Sequence, residues 1–224
     1  IVLNHPEVIG RSIAVIVAVS LCLGTACDAQ DSGTAIESST LSVSLDAAGM
    51  LNVLDKRTGQ RWLQKAVVQG KVTETAAGGR AITGLWQVSG VAGSTRIQVE
   101  LDGDKPELTV TLSAQREMTS PFRYPQPFVS EAGTYLVVPM NEGISYPVDD
   151  ESVRTQRLVA YGGHGICMPF WGVTDGQRGH MAIIETPDDA AILVARNDGR
   201  LCIIPEWDPQ KGKFGYARKL RYVF

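Results

Sequence analysis

The sequence predicts an all-β fold, an antiparallel β-sandwich with little helix beyond the N-terminal segment. Short runs of alternating apolar and polar residues recur from Leu41 onward, which is the pattern of half-buried strands. Turn residues such as Thr58-Gly59 and Asp102-Gly103-Asp104 separate these runs. The predicted strands are Leu41–Leu45, Leu51–Leu54, Ala66–Thr75, Leu85–Val91, Thr95–Leu101, Glu107–Ala114, Tyr135–Pro139, Met181–Thr186 and Ala191–Ala195.

The clearest hairpin is predicted between Cys167 and Ala190. Two apolar runs, Met168–Val173 and His180–Glu185, flank a turn with the sequence Asp-Gly-Gln-Arg-Gly. The second run leads into the acidic sequence Glu-Thr-Pro-Asp-Asp at 185–189. We therefore expect a group of carboxylates at one end of this hairpin, where they are candidate ligand contacts.

The middle of the chain is less regular. The segment Met118–Gly133 contains Pro121, Pro125 and Pro127, with aromatic residues between them. Proline has no N–H to donate to a strand ladder, so this segment is predicted to be an ordered aromatic loop.

The N-terminal residues predict export. Ile13–Ala26 is an uncharged apolar run of fourteen residues that follows Arg11, as in a secretory signal. Cys27 comes directly after small residues and is a candidate for lipidation, with ordinary signal cleavage as the alternative. The predicted organisation is a signal at 1–27, a polar tether at 28–39 and a β-sandwich at 40–224. We expect the mature protein in the periplasm, at the cell surface or outside the cell, with a lipid anchor as its one membrane contact.

Composition excludes some classes of partner. The net charge of -3 lacks the basic excess that phosphate backbones attract, so no nucleic acid partner is expected. Cys167 and Cys202 remain in the folded part, and sequence alone leaves their pairing open. The chain has no cysteine and histidine spacing typical of a zinc site, and neither a metal nor a cofactor is assigned.

The start of the predicted domain carries a family resemblance. Leu41–Leu45, Met50–Leu54 and Arg61-Trp62 form a meander that ends in an aromatic residue. This meander resembles the N-terminal β-sandwich, related to galactose mutarotase, that precedes the catalytic barrel in several glycoside hydrolase families.

Two later blocks carry the same resemblance. Tyr135–Pro147 and Met168–Ala190 resemble the corresponding domain of endo-α-N-acetylgalactosaminidase-like hydrolases and related uncharacterised families. The closing Gly215–Phe224 resembles the last sandwich strand that leads toward such a barrel.

The resemblance implies a galactose-mutarotase-like β-supersandwich that serves as a non-catalytic accessory domain of an exported glycoside hydrolase. Its implied partners are carbohydrate and a C-terminal catalytic barrel that we expect beyond Phe224. In those families the catalytic carboxylates belong to the barrel, so no catalytic residue is assigned to this chain.

Two alternatives remain open. The first is a stand-alone lipoprotein sandwich that binds a glycan or a protein. The second is a mutarotase-like isomerase that uses His164 and Glu185 as its acid and base, because anomer interconversion needs such a pair. His180 is a poorer partner for Glu185, since residues five apart on one strand face opposite sides of the sheet.

Four residues are candidate carbohydrate contacts. Trp207 lies in a predicted loop between Pro205 and Pro209, where its indole would stack on a sugar ring. The acidic candidates are Glu185, Asp188 and Asp189. Carboxylates of this kind can bind calcium, but these three lack the spacing of a calcium-binding loop. A solvent-exposed turn, in which aspartates accept bonds from nearby backbone amides, explains them equally well.

Overall fold

The structure is a computed structural model that describes residues 33–114, 117–160 and 165–224. The predicted signal and Cys27 therefore lie outside the described residues. Every strand pair in the described part of the chain is antiparallel, which confirms the predicted all-β fold. The same ranges contain one short 3-10 helix, Pro187–Asp189.

Nine strands form the larger sheet. In spatial order they are β11 (Ile144–Pro147), β10 (Tyr135–Val138), β13 (Phe170–Thr174), β14 (Gly179–Ile184), β17 (Arg218–Val223), β8 (Glu107–Ser113), β7 (Thr95–Leu101), β6 (Ala81–Val88) and β5 (Gly70–Gly78).

Two four-stranded sheets complete the structure. The first is β1 (Thr34–Glu37), β2 (Leu41–Leu45), β3 (Leu51–Asp55) and β4 (Arg61–Leu63). The second, in spatial order, is β12 (Gln156–Val159), β15 (Ala190–Asn197), β16 (Arg200–Trp207) and β9 (Phe122–Arg123).

The core follows from strand alternation. In β8 the side chains of Leu108, Val110 and Leu112 are fully buried, whereas the residues between them are partly exposed. One hydrophobic cluster contains side chains from all three sheets. For example, the ring centroids of Trp62 in β4 and His180 in β14 lie 4.9 Å apart, which joins a four-stranded sheet to the nine-stranded sheet. We call the opposite, solvent-facing side of the nine-stranded sheet its outer face.

Segment 124–130 joins the two four-stranded sheets. Its Pro127 carbonyl accepts a hydrogen bond from Lys65, and the Val129 amide donates to the Leu63 carbonyl, both beside β4. On the other side, the Tyr124 carbonyl accepts a 2.7 Å bond from the Trp207 indole of β16. The loop predicted at Met118–Gly133 is thus ordered and aromatic as expected, although it contains the two-residue strand β9.

Some strand boundaries differ from the prediction. β1 lies inside the segment predicted as a tether, so the sheet begins before residue 40. It pairs along its whole length with β2, and its Ile36 is 5% exposed in the core, so pairing and one buried side chain outweigh the polar composition of the surrounding segment. The strands that the alternation pattern did not predict are short or irregular: β4, β9, β11 and β12, together with the proline-containing β16.

Glycines make room for a buried tryptophan. A Cβ atom on Gly49 would lie 2.4 Å from the ring of Trp86, and one on Gly70 would lie 2.5 Å from the same ring. Trp86 is 1% exposed and packs 5.2 Å from the Tyr124 ring, so it connects the nine-stranded sheet to segment 124–130. The turn between β2 and β3 therefore requires glycine for both space and backbone conformation.

We expect Gly49→Ala to lower the free energy of unfolding by about 3 kcal/mol, because strain at positive φ adds to a clash with Trp86. Gly59→Ala is the matched control, since Gly59 has φ +75° against +76° at Gly49 but nothing within 4 Å of an added Cβ. It should cost only about 1 kcal/mol. Urea denaturation of both variants measures the difference, and equal losses would contradict the packing argument.

Candidate functional site

The predicted hairpin is present, and it places the acidic residues at the end of β14. Phe170 pairs with Ile183 and Thr174 with Gly179 in the β13–β14 ladder. The carboxylate of Asp175 accepts bonds from the amides of Gln177 and Arg178, which closes the connecting turn.

Glu185 is exposed and already has a partner. Its carboxylate accepts a 2.8 Å bond from Arg221 of β17. The same guanidinium donates a 2.9 Å bond to Glu107 of β8, and these two carboxylates hold the pKa of Arg221 above its usual value. Glu185 therefore acts first as one end of an ion chain across three neighbouring strands.

Asp189 is also occupied by protein groups. Its carboxylate accepts a 2.9 Å bond from the Tyr216 hydroxyl and a 3.3 Å bond from Arg218. Asp188 remains exposed beside it, at a distance where its charge acts on Arg218. The predicted group of three carboxylates is thus divided between two arginines.

Arg218 is the buried charge that organises this region. It is 0% exposed, and its guanidinium carbon lies 3.5 Å from the centroid of the Tyr216 ring. A second bond runs to the Asp208 carbonyl at 3.1 Å. Burial lowers the pKa of Arg218, and the carboxylates of Asp189 and Asp208 oppose that shift.

A second buried charge lies on β16. Glu206 is 1% exposed and accepts hydrogen bonds from both Arg123 and Arg157. Burial raises the pKa of Glu206, but the hydrogen bonds from the two arginines outweigh it and leave that pKa below its usual value. Nη2 of Arg157 also donates to both carboxylate oxygens of Asp208, which connects Glu206 to the surroundings of Arg218.

Trp207 corrects the sequence-based prediction. It lies inside β16, is 0% exposed, and donates its indole N–H to Tyr124. A ring enclosed in this way cannot stack on a sugar. Pro205 is compatible with the strand because β9 pairs only with the two residues that follow it, so the ladder on that side begins after the proline.

His180 is enclosed by aromatic side chains. Its ring lies 4.9 Å from Trp62 and 5.0 Å from Phe128, with Tyr222 and Phe224 slightly farther away. Burial lowers the pKa of His180 to about 4, and its Nδ1 has no hydrogen-bond partner in the described structure. The residue is therefore a neutral member of the core at neutral pH.

Only one member of the predicted acid–base pair of an isomerase, Glu185, lies among the described residues. His180 is buried, whereas Glu185 is exposed and paired with Arg221. His164 lies outside the described residues, so its distance from Glu185 stays untested.

The described residues bear on the metal and cysteine predictions. No group of three or more potential ligand side chains gathers in residues 33–114, 117–160 and 165–224. Both cysteines there are free thiols: Cys167 is exposed, and Cys202 is buried with its pKa raised to about 11 by that burial. The same ranges hold no helix long and apolar enough to cross a membrane.

Sequence analysis missed Tyr216, Arg218 and Glu206, which hold this region together. A signal for one of them was present, because Arg218, Leu220 and Tyr222 alternate in phase along the last strand. That phase places Arg218 on the buried face, where an arginine needs a carboxylate partner.

The fold has close counterparts among solved structures. An α-N-acetylgalactosaminidase, NagBb from Bifidobacterium bifidum, matches 84% of this chain at 16% identity in its ligand-free form, with a TM-score of 0.67. Its complex with Gal-NHAc-DNJ matches the same share at 14% identity, with a TM-score of 0.69. This chain therefore shares its antiparallel β-sandwich fold with part of NagBb. At this level of identity the likeness shows a common fold alone.

This β-sandwich spans 35% of the NagBb chain, so roughly a third of that enzyme is represented here. A galactose mutarotase-like protein from Lactobacillus casei covers 85% of this chain at 10% identity, but its TM-score of 0.45 is too low to support an argument. No protein-family model and no curated protein matches the sequence.

We expect Glu206→Gln to lower the free energy of unfolding by about 2 kcal/mol, because it leaves Arg123 and Arg157 without their buried counterion. Both arginines are partly exposed, which keeps the loss below that of a fully buried pair. Glu185→Gln is the matched control at an exposed pair and should cost less than about 1 kcal/mol. Urea unfolding at neutral pH distinguishes the two, and a larger loss at Glu185 would reverse this interpretation.

Acid should destabilise the protein through His180. Its pKa is about 4 in the folded state against 6.5 in an exposed chain, so the unfolded state binds the proton first as pH falls. The contribution of His180 to the free energy of unfolding is complete above pH 6.5. We expect about 2 kcal/mol of it to be lost by about pH 5. His180→Phe should remove this part of the pH dependence, as measured by urea unfolding at several pH values. Identical slopes in both proteins would show that His180 titrates normally.

Proposed function

We propose that this chain is the N-terminal accessory β-sandwich of an exported glycoside hydrolase, where it braces a catalytic barrel and contacts glycan. The main support is the match of most of this chain to about a third of an α-N-acetylgalactosaminidase. A fold that serves many activities does not by itself select one, so the proposal also needs support from the surface.

The proposed role is non-catalytic for this chain alone. His180 is sealed among aromatic rings and is neutral, which removes it as an acid at a solvent-accessible site. Glu185 is paired with Arg221. In the proposed whole enzyme, the catalytic carboxylates lie on the barrel.

An apolar patch on the outer face supports a docked neighbour. Tyr135 and Val137 of β10, Phe170 of β13, and Met181 and Ile183 of β14 share this face according to the strand register. Tyr135 is 45% exposed and Met181 is 36% exposed, so the patch presents large apolar side chains to solvent at both ends, on β10 and on β14. A barrel packed on this patch would remove it from water.

The two alternatives make different demands. A stand-alone lipoprotein sandwich would leave the patch exposed in the finished protein. An isomerase would need His164 and Glu185 at one sugar. Export is common to the accessory domain and both alternatives, and it rests on the signal predicted at 13–26.

We expect the gene to continue in frame beyond Phe224 with alternating strand and helix patterns. The longer protein should hydrolyse a nitrophenyl α-N-acetylgalactosaminide, and chain 1–224 alone should not. In the longer protein, Met181→Asp should lower the midpoint of thermal unfolding, because it places a charge between packed domains. Thr111→Asp, on the polar half of the same outer face, is the matched control and should have little effect.

The isolated chain provides a second readout. There, Met181→Asp should change the free energy of unfolding by less than about 0.5 kcal/mol, since no neighbour covers the side chain. A reading frame that stops after Phe224 would rule out the accessory role. Accelerated anomer interconversion by the isolated chain, measured by polarimetry, would favour the isomerase instead.

A further inference from the structure

The outer face also carries a polar cleft, away from the apolar patch. It has a volume of about 480 Å³ and is lined mainly by Leu85, Ser94, Arg96, Ser113 and Tyr216. We call it the Arg96 cleft. This volume lies within the range of small-molecule sites, which is about 300–1,000 Å³.

The strand register builds the floor of the cleft. Arg96 of β7 pairs with Leu85 of β6 on one side and with Ser113 of β8 on the other. Because directly paired residues share one face of a sheet, these three side chains form a row across the outer face. Ser94 and Tyr216 complete the lining from the connections beside β7 and β17.

Tyr216 is held in place before any ligand arrives. Its hydroxyl donates to Asp189, and the buried guanidinium of Arg218 packs on its ring at 3.5 Å. An aromatic ring restrained in this way loses little conformational freedom when a sugar stacks on it. Asp189, predicted from sequence as a sugar contact, thus positions the aromatic platform instead.

Arg96 supplies an available charge. Its side chain is exposed, and within the described residues its guanidinium has no hydrogen bond or ion pair, unlike Arg123, Arg157, Arg218 and Arg221. A guanidinium binds a carboxylate or a sulfate through two parallel hydrogen bonds. The hydroxyls of Ser94 and Ser113 lie in the same cleft and can bond to sugar hydroxyls.

We infer that the Arg96 cleft binds an acidic sugar, one that carries a carboxylate or a sulfate group. The guanidinium binds the acidic group, the serine hydroxyls bond to the ring hydroxyls, and Tyr216 packs on the apolar face of the ring. This inference deepens the glycan contact of the proposed function, but it requires only this chain and no docked barrel.

Binding to chain 1–224 can be tested by NMR titration with four probes: D-glucuronate, D-glucose, glucose 6-sulfate and inorganic sulfate. Glucuronate and glucose differ at C6 alone, so their comparison isolates the acidic group. We expect glucuronate or glucose 6-sulfate to bind about tenfold more tightly than glucose, because a charge-assisted hydrogen bond contributes that much to the binding free energy. Whichever of the two binds more tightly identifies the acidic group.

The variants locate the site. Arg96→Gln should weaken binding of the acidic sugar about tenfold and leave the weak binding of glucose unchanged. Arg61→Gln, at another exposed arginine on β4, is the matched control and should have no effect. Tyr216→Phe keeps the ring and should retain most of the affinity, whereas Tyr216→Leu should lose it. Unfolding curves verify that each variant is folded.

Three results would overturn the inference: glucose binding as tightly as both glucuronate and glucose 6-sulfate, inorganic sulfate binding as tightly as the acidic sugars, or an Arg96→Gln variant with unchanged affinity for the acidic sugar. A reading frame that ends at Phe224 would remove the accessory role but would leave these titrations unaffected. The two proposals therefore fail independently.

Discussion

The rest of the structure depends on how segment 124–130 joins the two four-stranded sheets. Among the described residues these sheets share no strand pairing, so the segment between them must satisfy its backbone polar groups through other bonds. Its Val129 amide donates to Leu63 of β4, its Pro127 carbonyl accepts from the neighbouring Lys65, and its Tyr124 carbonyl accepts the Trp207 indole N–H. Its aromatic rings meanwhile pack into the core beside Trp86 and His180. One ribbon thus supplies both hydrogen bonds and apolar contacts.

Charge pairing is the second constraint, and it explains the fate of the acidic residues after β14. Arg218 lies on the buried face of its strand, so it needs carboxylate and aromatic neighbours to offset the loss of hydration. Asp189 meets that need, and Glu185 does the same for Arg221. The acidic sequence therefore contributes to structure first. It affects the proposed sugar binding only indirectly, because Asp189 holds Tyr216 in place beside the Arg96 cleft.

The outer face is divided by the same strand order that builds the core. Apolar residues gather at β10, β13 and β14, while β7 and β8 present polar and charged residues around Arg96, with Leu85 of β6 beside it. A single sheet therefore offers a surface suited to a packed domain at one side and a surface suited to a polar ligand at the other. The two proposals rest on these two halves.

The sequence by itself determined the fold class and most long strands, because alternating burial is a local property: β2 and β7 have the predicted bounds. It also determined the β13–β14 hairpin, since the turn and its flanking runs are adjacent in the chain. Tertiary structure decided that Trp207 is buried and that Asp189 is paired. Trp207 is buried by Tyr124, 83 positions away, and Asp189 is engaged by Arg218, 29 positions away. Partners so distant along the chain leave no local pattern, so only the packed sheets settle which side chains remain free to bind a ligand.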